Sequence, residues 1–422
     1  MRPAAMKYLL IMMLMLFFCL LSGCWNRREP DSLAIVNSVL NDTENGMLSI
    51  TFEVLEASPQ SKSSAGGGGV SSYYVHSEAD TLPEALRIAT TTLDRKIYIG
   101  HIETRFISEK LASTDIFPMM DFYLRDHEAR QDAYVVIIKG DNPDQIYQCS
   151  PGMSDTLGSY ISQMAKNQSA SQSVFVTTLD FLKDYYNDGK QPVAGVAEIV
   201  ESSGLGGKGG GSGGESSGSG GKSGSSGGES GSDSGGGQQL QYELKCSGLA
   251  AFKEHQLVGY MDGIETRAYN FVVGKFKSAM ISVQSSSEEG ISAIDVIEAK
   301  PTIKVAYEEG QAKIDILVKI NGNIILESDE RDLRKNEVVR KIEKDFENLI
   351  KSQIFDTVTK AQKEFKSDIF GFGTKMHIQH PKQWKKIKGR WDDIFSNAAV
   401  TVSADVHITG IGEIKESFLL ED

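Results

Sequence analysis

Leu21-Ser22-Gly23-Cys24 is the stretch of this chain with the clearest chemistry. It has the form of a bacterial lipobox, in which the cysteine becomes the first mature residue and its sulfur takes a diacylglycerol. Ser22 and Gly23 are small because a peptidase must bring the backbone close to its own site. Ahead of them the apolar run Tyr8 to Leu21 follows a basic start carrying Arg2 and Lys7, the arrangement of a secretory signal peptide. The run is shorter than the ~20 residues a membrane-spanning helix needs, and Arg27, Arg28, Glu29 and Asp31 follow at once. The competing reading is a buried thiol at the end of an uncleaved anchor.

The other chemically capable residues are scattered. His101-Ile102-Glu103 puts a histidine and a carboxylate two apart on an expected strand, hence on one face. A zinc protease wants His-Glu-x-x-His on a helix, which is absent. His377 and His380, three apart, can pair two imidazoles but have no third ligand nearby, and Asp126-His127-Glu128 reads as a solvated turn. Gly371-Phe-Gly373-Thr374-Lys375 lacks the spacing and preceding strand of a phosphate loop, and there is no Gly-x-Ser-x-Gly elbow. Trp384 and Trp391, seven apart, read as a packed helix face. The residues predict no enzyme, no catalytic site, no metal and no cofactor.

A lipid on Cys24 decides how the chain meets a membrane. One acyl chain binds a bilayer marginally, and at about 0.8 kcal/mol per buried methylene a second makes release slow. The formal charge is −13, and loss of residues 1–23 removes Arg2 and Lys7, taking it to −15. Such a surface is repelled by nucleic acid and by anionic lipid, so the expectation is an acidic extracytoplasmic body on a lipid tether. Cys149 and Cys246 are the thiols left once Cys19 departs and Cys24 is acylated. A disulfide between them remains open outside the cell, but a long linker separates them and the fold is not expected to depend on it.

The elements that carry these residues predict an α+β protein of several domains. Leu33–Leu40 and the alternating Met47–Ala57 read as two strands across a polar turn. Thr81-Leu-Pro-Glu84 has the form of a capping box before a helix. A strand over Lys96–Ile107, a helix over Thr114–Leu124, a buried strand Ala133–Ile138 and helices near Asn142, Ser154–Lys166 and Thr178–Tyr186 follow. Residues 201–239 change composition sharply: eighteen of the 42 glycines lie between Gly204 and Gly237. Such a stretch cannot bury apolar surface and is expected to be disordered, as a spacer or an inflated surface loop. Beyond it strands at Tyr242–Phe252 and Gln256–Met261, a short helix from Gly263, an antiparallel meander over Ile291–Ile320, and a long helix from about Asp332 to Phe365 stopped by Gly371 and Gly373 are predicted. A shorter helix Pro381–Ile394 and the alternating strand Ala399–Ile408 end the series. The expected domains are a lipoprotein signal peptide over 1–23, an N-terminal α+β domain over 24–200, the Gly/Ser-rich linker over 201–239, a middle domain over 240–290 and a C-terminal α+β domain over 291–422. The fold class is α+β, with antiparallel and mixed sheets, packed helices and two halves joined by the linker.

At several of these points the residues resemble the Ger(x)C lipoproteins, the C subunits of spore germinant receptors. The resemblance begins at Gly23-Cys24-Trp25-Asn26-Arg27-Arg28-Glu29, with Asn26 where that family usually has aspartate. It continues through Leu82-Pro-Glu-Ala-Leu86, Lys96-Ile-Tyr-Ile-Gly100-His101 and Leu124-Arg125-Asp126-His-Glu-Ala-Arg130. It resumes after the linker at Gly248-Leu-Ala-Ala-Phe252-Lys253 and Leu257-Val-Gly259, then Asp368-Ile-Phe-Gly-Phe-Gly373, Trp384 and the closing strand. The resemblance implies a lipid-anchored, non-catalytic body of three α+β domains on the outer face of the spore inner membrane, alongside A and B subunits of the same receptor. It implies that the small-molecule germinant is bound by another subunit, that the chain has a structural or signal-relaying role, and that Cys24 is the one functional residue carried over. The alternative is an extracytoplasmic solute-binding lipoprotein of a transporter, which shares the lipobox and the two-lobed size. Such binders alternate β and α around parallel sheets, against the antiparallel meanders read here.

Overall fold

The computed structural model describes residues 7–8, 11–15, 32–56, 71–167, 171–201, 242–285, 290–328 and 332–410. Leu21–Cys24, read as a lipobox, residues 57–70 and the Gly/Ser-rich stretch over 202–241 lie outside the described residues. The first half runs β1 (Leu33–Glu44), β2 (Met47–Glu56), β3 (Ser71–Ala79), α1 (Leu82–Thr90), β4 (Lys96–Tyr98), β5 (Thr104–Ser108), α2 (Glu109–Ala112), α3 (Phe117–Arg125), β6 (Tyr134–Lys139), a 3₁₀ turn (Pro143–Gln148), β7 (Cys149–Ser150), α4 (Leu157–Lys166), β8 (Val176–Thr177), α5 (Thr178–Tyr185) and β9 (Val193–Glu201). The second runs β10 (Tyr242–Lys253), β11 (Gln256–Met261), α6 (Gly263–Val273), β12 (Ala279–Gln284), β13 (Ile291–Glu308), β14 (Gln311–Glu327), α7 (Asn336–Lys360), α8 (Phe372–Gln379), α9 (Pro381–Ile387), α10 (Trp391–Ser396) and β15 (Ala399–Gly410).

The first sheet has the order β11-β10-β9-β6-β5-β1-β2-β3, with β4 on β1, β7 on β10 and β8 on β6. Its centre is parallel: β1, β5, β6 and β9 all run the same way. Burial on both faces explains why β6 is almost wholly apolar. Val135 and Ile137 face one core, while Val136 and Ile138 face a second with Phe106, Leu157 and Ile161. The β1–β2 hairpin turns on Asn45-Gly46 alone, Glu44 pairing with Met47 and both turn residues at positive φ, the geometry that matches strand twist. The strands therefore extend into what the sequence reads as a six-residue turn.

The Gly/Ser-rich stretch joins neighbouring strands. Glu201 pairs with Tyr242, and the β9–β10 ladder runs back to Val193 opposite Ala251. The two halves thus share one sheet, which residues 242–261 complete at its edge. The second sheet, β12-β13-β14-β15, begins at Ala279. Its last strand is parallel to β14, which requires the crossover that α7 to α10 supply. Ile342, Phe346, Ile350, Ile354 and Val358 form the buried stripe of α7.

Local departures from the expected elements have physical causes. The strand read over Lys96–Ile107 is two strands: Leu33 pairs with Lys96 but Ser38 pairs with Thr104, so three extra residues loop out between them. The box at Thr81 is not formed, since that side chain makes no cap bond; Asp262 and Glu265 make a full one at α6. The long helix ends before the glycines, through a π turn over Ala361–Phe365 into Lys366 at φ 51°. The helix read over Pro381–Ile394 is α9, a 3₁₀ turn and α10.

Candidate functional site

The two halves meet at a joint built around Asp368, in the turn after the π segment. Its carboxylate is buried and fully engaged. Oδ1 accepts from the N–H groups of Gly371 at 2.9 Å and Phe372 at 3.2 Å, and Oδ2 from Gly373 N–H at 2.8 Å and Trp391 Nε1 at 2.9 Å. The Asp368 carbonyl accepts from Gln191 N–H at 2.9 Å, in the loop that leads into β9. One residue therefore fixes its own turn, clamps α10 and reaches into the first sheet. Ser367 donates to the Phe252 carbonyl at 2.6 Å, and Thr374 N–H to the Gly189 carbonyl at 3.0 Å.

Glycine makes the approach possible. A Cβ on Gly189 would stand 2.4 Å from the Thr374 nitrogen, and one on Gly373 would stand 2.8 Å from the Gly189 Cα and 2.7 Å from Trp391 Nε1. Beside them Lys190 pairs with Asp184 at 2.7 Å, both side chains mostly buried. Burial pushes Asp368 up to about 6, against four hydrogen bonds that each favour its charged form. With every oxygen occupied and no solvent access, this carboxyl group is placed to hold surfaces together.

Two more buried polar groups brace the first half. Glu53, on β2, accepts from Leu157 N–H at 3.0 Å and Gly158 N–H at 3.2 Å at the start of α4, and from Ser38 at 2.6 Å, where a carboxylate complements orphan amides and the helix dipole. Arg105, on β5, donates to Thr178 at 2.6 Å and to the Arg130 carbonyl at 2.7 Å, with its guanidinium 4.1 Å from the Tyr123 ring centroid. Burial lowers the Arg105 pKa, and Tyr123 counters part of that.

The residues that the sequence singles out for chemistry are not brought together. His101 is exposed in the loop between β4 and β5, while Glu103 accepts from Asn37 at 3.4 Å and Ser159 at 3.3 Å. The strand face expected to join them is therefore absent. His377 lies over Trp384, ring centroids 6.0 Å apart. Asp126 caps a turn by accepting from Glu128 N–H at 2.7 Å. Among the described residues no three His, Cys, Asp or Glu side chains converge as a metal site. Cys149 and Cys246 are both free thiols, and burial pushes each up to about 12. Cys24 lies outside the described residues. Among those described, no helix is long and apolar enough to cross a membrane.

Asp368 and Trp391 had a sequence signal that carried no role, and Arg105, inside an expected strand, had none. Asp368-Ile-Phe-Gly-Phe-Gly373 packs an acid against two glycines, the composition of a turn that gathers its own amides. Glu53 had none, because it sits in an ordinary alternating strand.

Residues 26–199 match the family described as spore germination protein N-terminal domain, and residues 247–412 match spore germination B3/GerAC like, C-terminal. The chain belongs to the Ger(x)C family. The matches stop just before the Gly/Ser-rich stretch and resume beyond it. Spore germination protein YndF of Bacillus subtilis (strain 168) is 21% identical, with 96% of this chain and 97% of that protein covered. Spore germination protein B3 of the same organism is 22% identical over 94% of this chain and 97% of its own, and spore germination protein KC 23% identical over 96% of each. The crystal structure of the GerBC protein shares the fold, with a TM-score of 0.50 and 18% identity over 87% of this chain and 96% of that one. The α+β class expected of a Ger(x)C chain is the one observed.

Proposed function

We propose that this Ger(x)C chain is the non-catalytic, lipid-anchored C subunit of a nutrient germinant receptor. In this reading Cys24 carries the diacylglycerol that holds the body on the outer face of the spore inner membrane. The body works beside the A and B subunits as a structural or signal-relaying part, and another subunit binds the germinant. The observation that carries the reading is the match of two germination-family domains, in order, with relatives named for spore germination along nearly their whole length. The Asp368 joint supports a relaying body: its buried groups are spent on holding two sheets in one arrangement.

The rival, a solute binder feeding a transporter, shares the parallel centre seen in the first sheet. It calls for two lobes on a hinge, whereas here the second half donates β10 and β11 to the sheet of the first. The test is a deletion strain challenged with a panel of nutrients. Loss of germination to a nutrient subset, restored by the intact gene, is expected; unchanged germination to every nutrient with impaired uptake of one solute would favour the rival.

A further inference from the structure

The composition makes this body acidic throughout, but the fold sorts its charge. From Ile369 to Trp391 there is no acid, and Lys375, Lys382, Lys385, Lys386, Lys388 and Arg390 are all exposed. Among the described residues, only Lys388 of these has a carboxylate partner, Asp188 at 2.7 Å. Ile378, in the same stretch, is 70% exposed. Met376, Trp384 and Ile387 are buried beneath, and Gln379 binds the backbone of Ile303 and Val305. The basic side chains therefore coat the outside of a firmly seated pair of helices and of the 3₁₀ turn Lys388–Arg390 that follows them.

The register places this patch. The loop 187–191 touches it through Gly189 and Asp188 and leads into β9. β9, β6, β5 and β1 are parallel, so all four begin at one end of the sheet. Val136 is level with Gly195, Tyr134 with Thr104, and Thr104 with Ser38. Leu33 thus starts five residues, about 17 Å, beyond that level and three strands, about 15 Å, to the side. From Cys24 to Leu33 nine residues span at most ~32 Å. At the opposite end of the same strands Asp42, Glu44, Glu109, Asp141 and Asp144 line a hollow of about 580 Å³.

We infer that the basic face of α8 and α9 is a docking surface for anionic lipid headgroups. The tether enters at the same pole, and the acidic hollow points away from the bilayer. This rests on the reading of Cys24 as the lipid anchor and adds an orientation to it. Attraction to an anionic surface acts within about a Debye length, ~8 Å at physiological ionic strength, so it holds a face the tether already keeps close. Each neutralised lysine is expected to lower the docked-to-undocked ratio about fivefold.

The test uses the full lipidated chain on vesicles of phosphatidylcholine with or without phosphatidylglycerol, with a nitroxide headgroup lipid as quencher. Cys149 and Cys246 are changed to alanine and a fluorophore is placed at Gly389→Cys, where a Cβ meets nothing within 4 Å, or at Asp141→Cys. The expected result is quenching at position 389 on phosphatidylglycerol vesicles, abolished by high salt and by Lys382→Glu/Lys385→Glu/Lys386→Glu, with position 141 unquenched throughout. No quenching at 389 on vesicle-bound protein, as when the patch serves a protein partner instead, or equal quenching at both positions, overturns the inference. Failure of the anchor reads out separately: an acylated chain floats with vesicles in high salt, and a chain that does not removes the basis of this orientation.

Discussion

Trp391 Nε1 donates to Oδ2 of Asp368 at 2.9 Å, buried on both sides, and the same oxygen takes the Gly373 N–H at 2.8 Å. Four donors around one carboxyl group leave no acceptor for an amide N–H₂. In Asp368→Asn either orientation of the amide sets an N–H₂ against two N–H groups. A loss of about 2–4 kcal/mol follows from unsatisfied buried donors, and denaturant unfolding of the variant against the parent measures it. Stability within error of the parent would remove Asp368 from the joint.

The same carboxyl sets a pH dependence. Its ordinary value is 3.8 and its folded value is about 6, so between the two the folded chain holds a proton the unfolded chain has released. Its contribution to stability therefore falls as pH rises from about 4 to 6, by roughly 3 kcal/mol, and is level above that. Unfolding free energies of the parent and Asp368→Asn across that window should show the slope in the first and not in the second.

Gly189→Ala and Gly373→Ala each force a methyl into the contact between loop 187–191 and α8. Overpacking of this kind costs about 1–3 kcal/mol, and here it should part the halves before it unfolds either sheet. Faster protease cleavage near residues 187–191 and 366–374, with circular dichroism retained, is the expected outcome. Unchanged cleavage would show that the contact can relax without opening.

Removing residues 204–237 should be tolerated, because Glu201 and Tyr242 are already strand partners. Closure entropy changes by about 0.6 kcal/mol per doubling of loop length, so the shortened chain should be equally stable or more stable by roughly 1–2 kcal/mol. Thermal unfolding of the deletion protein decides this, and failure to fold would assign the stretch a structural part.

Much of this architecture was legible one element at a time. Ala133–Ile138 read as a buried strand because every residue is apolar, and the α7 stripe declared itself through its spacing. What could not be read was which strands are neighbours: β9 and β10 face each other across a stretch with no apolar signal of its own. The parallel return of β15 was hidden for the same reason, since alternation gives the faces of a strand but not its partner. The basic run over 375–390 was visible in the letters, yet net charge averaged it away. Asp368 stands in a legible motif, while its role lies in contacts to Gln191 and Trp391, far from it along the chain.

Intact mass measurement of the protein recovered from spore membranes tests the anchor on Cys24 directly. A chain beginning at Cys24 and carrying a diacylglycerol thioether is predicted, and in a Cys24→Ala strain neither the modification nor normal nutrient germination should remain. A chain that keeps its leader and bears no acyl group, in spores that germinate normally, would contradict it.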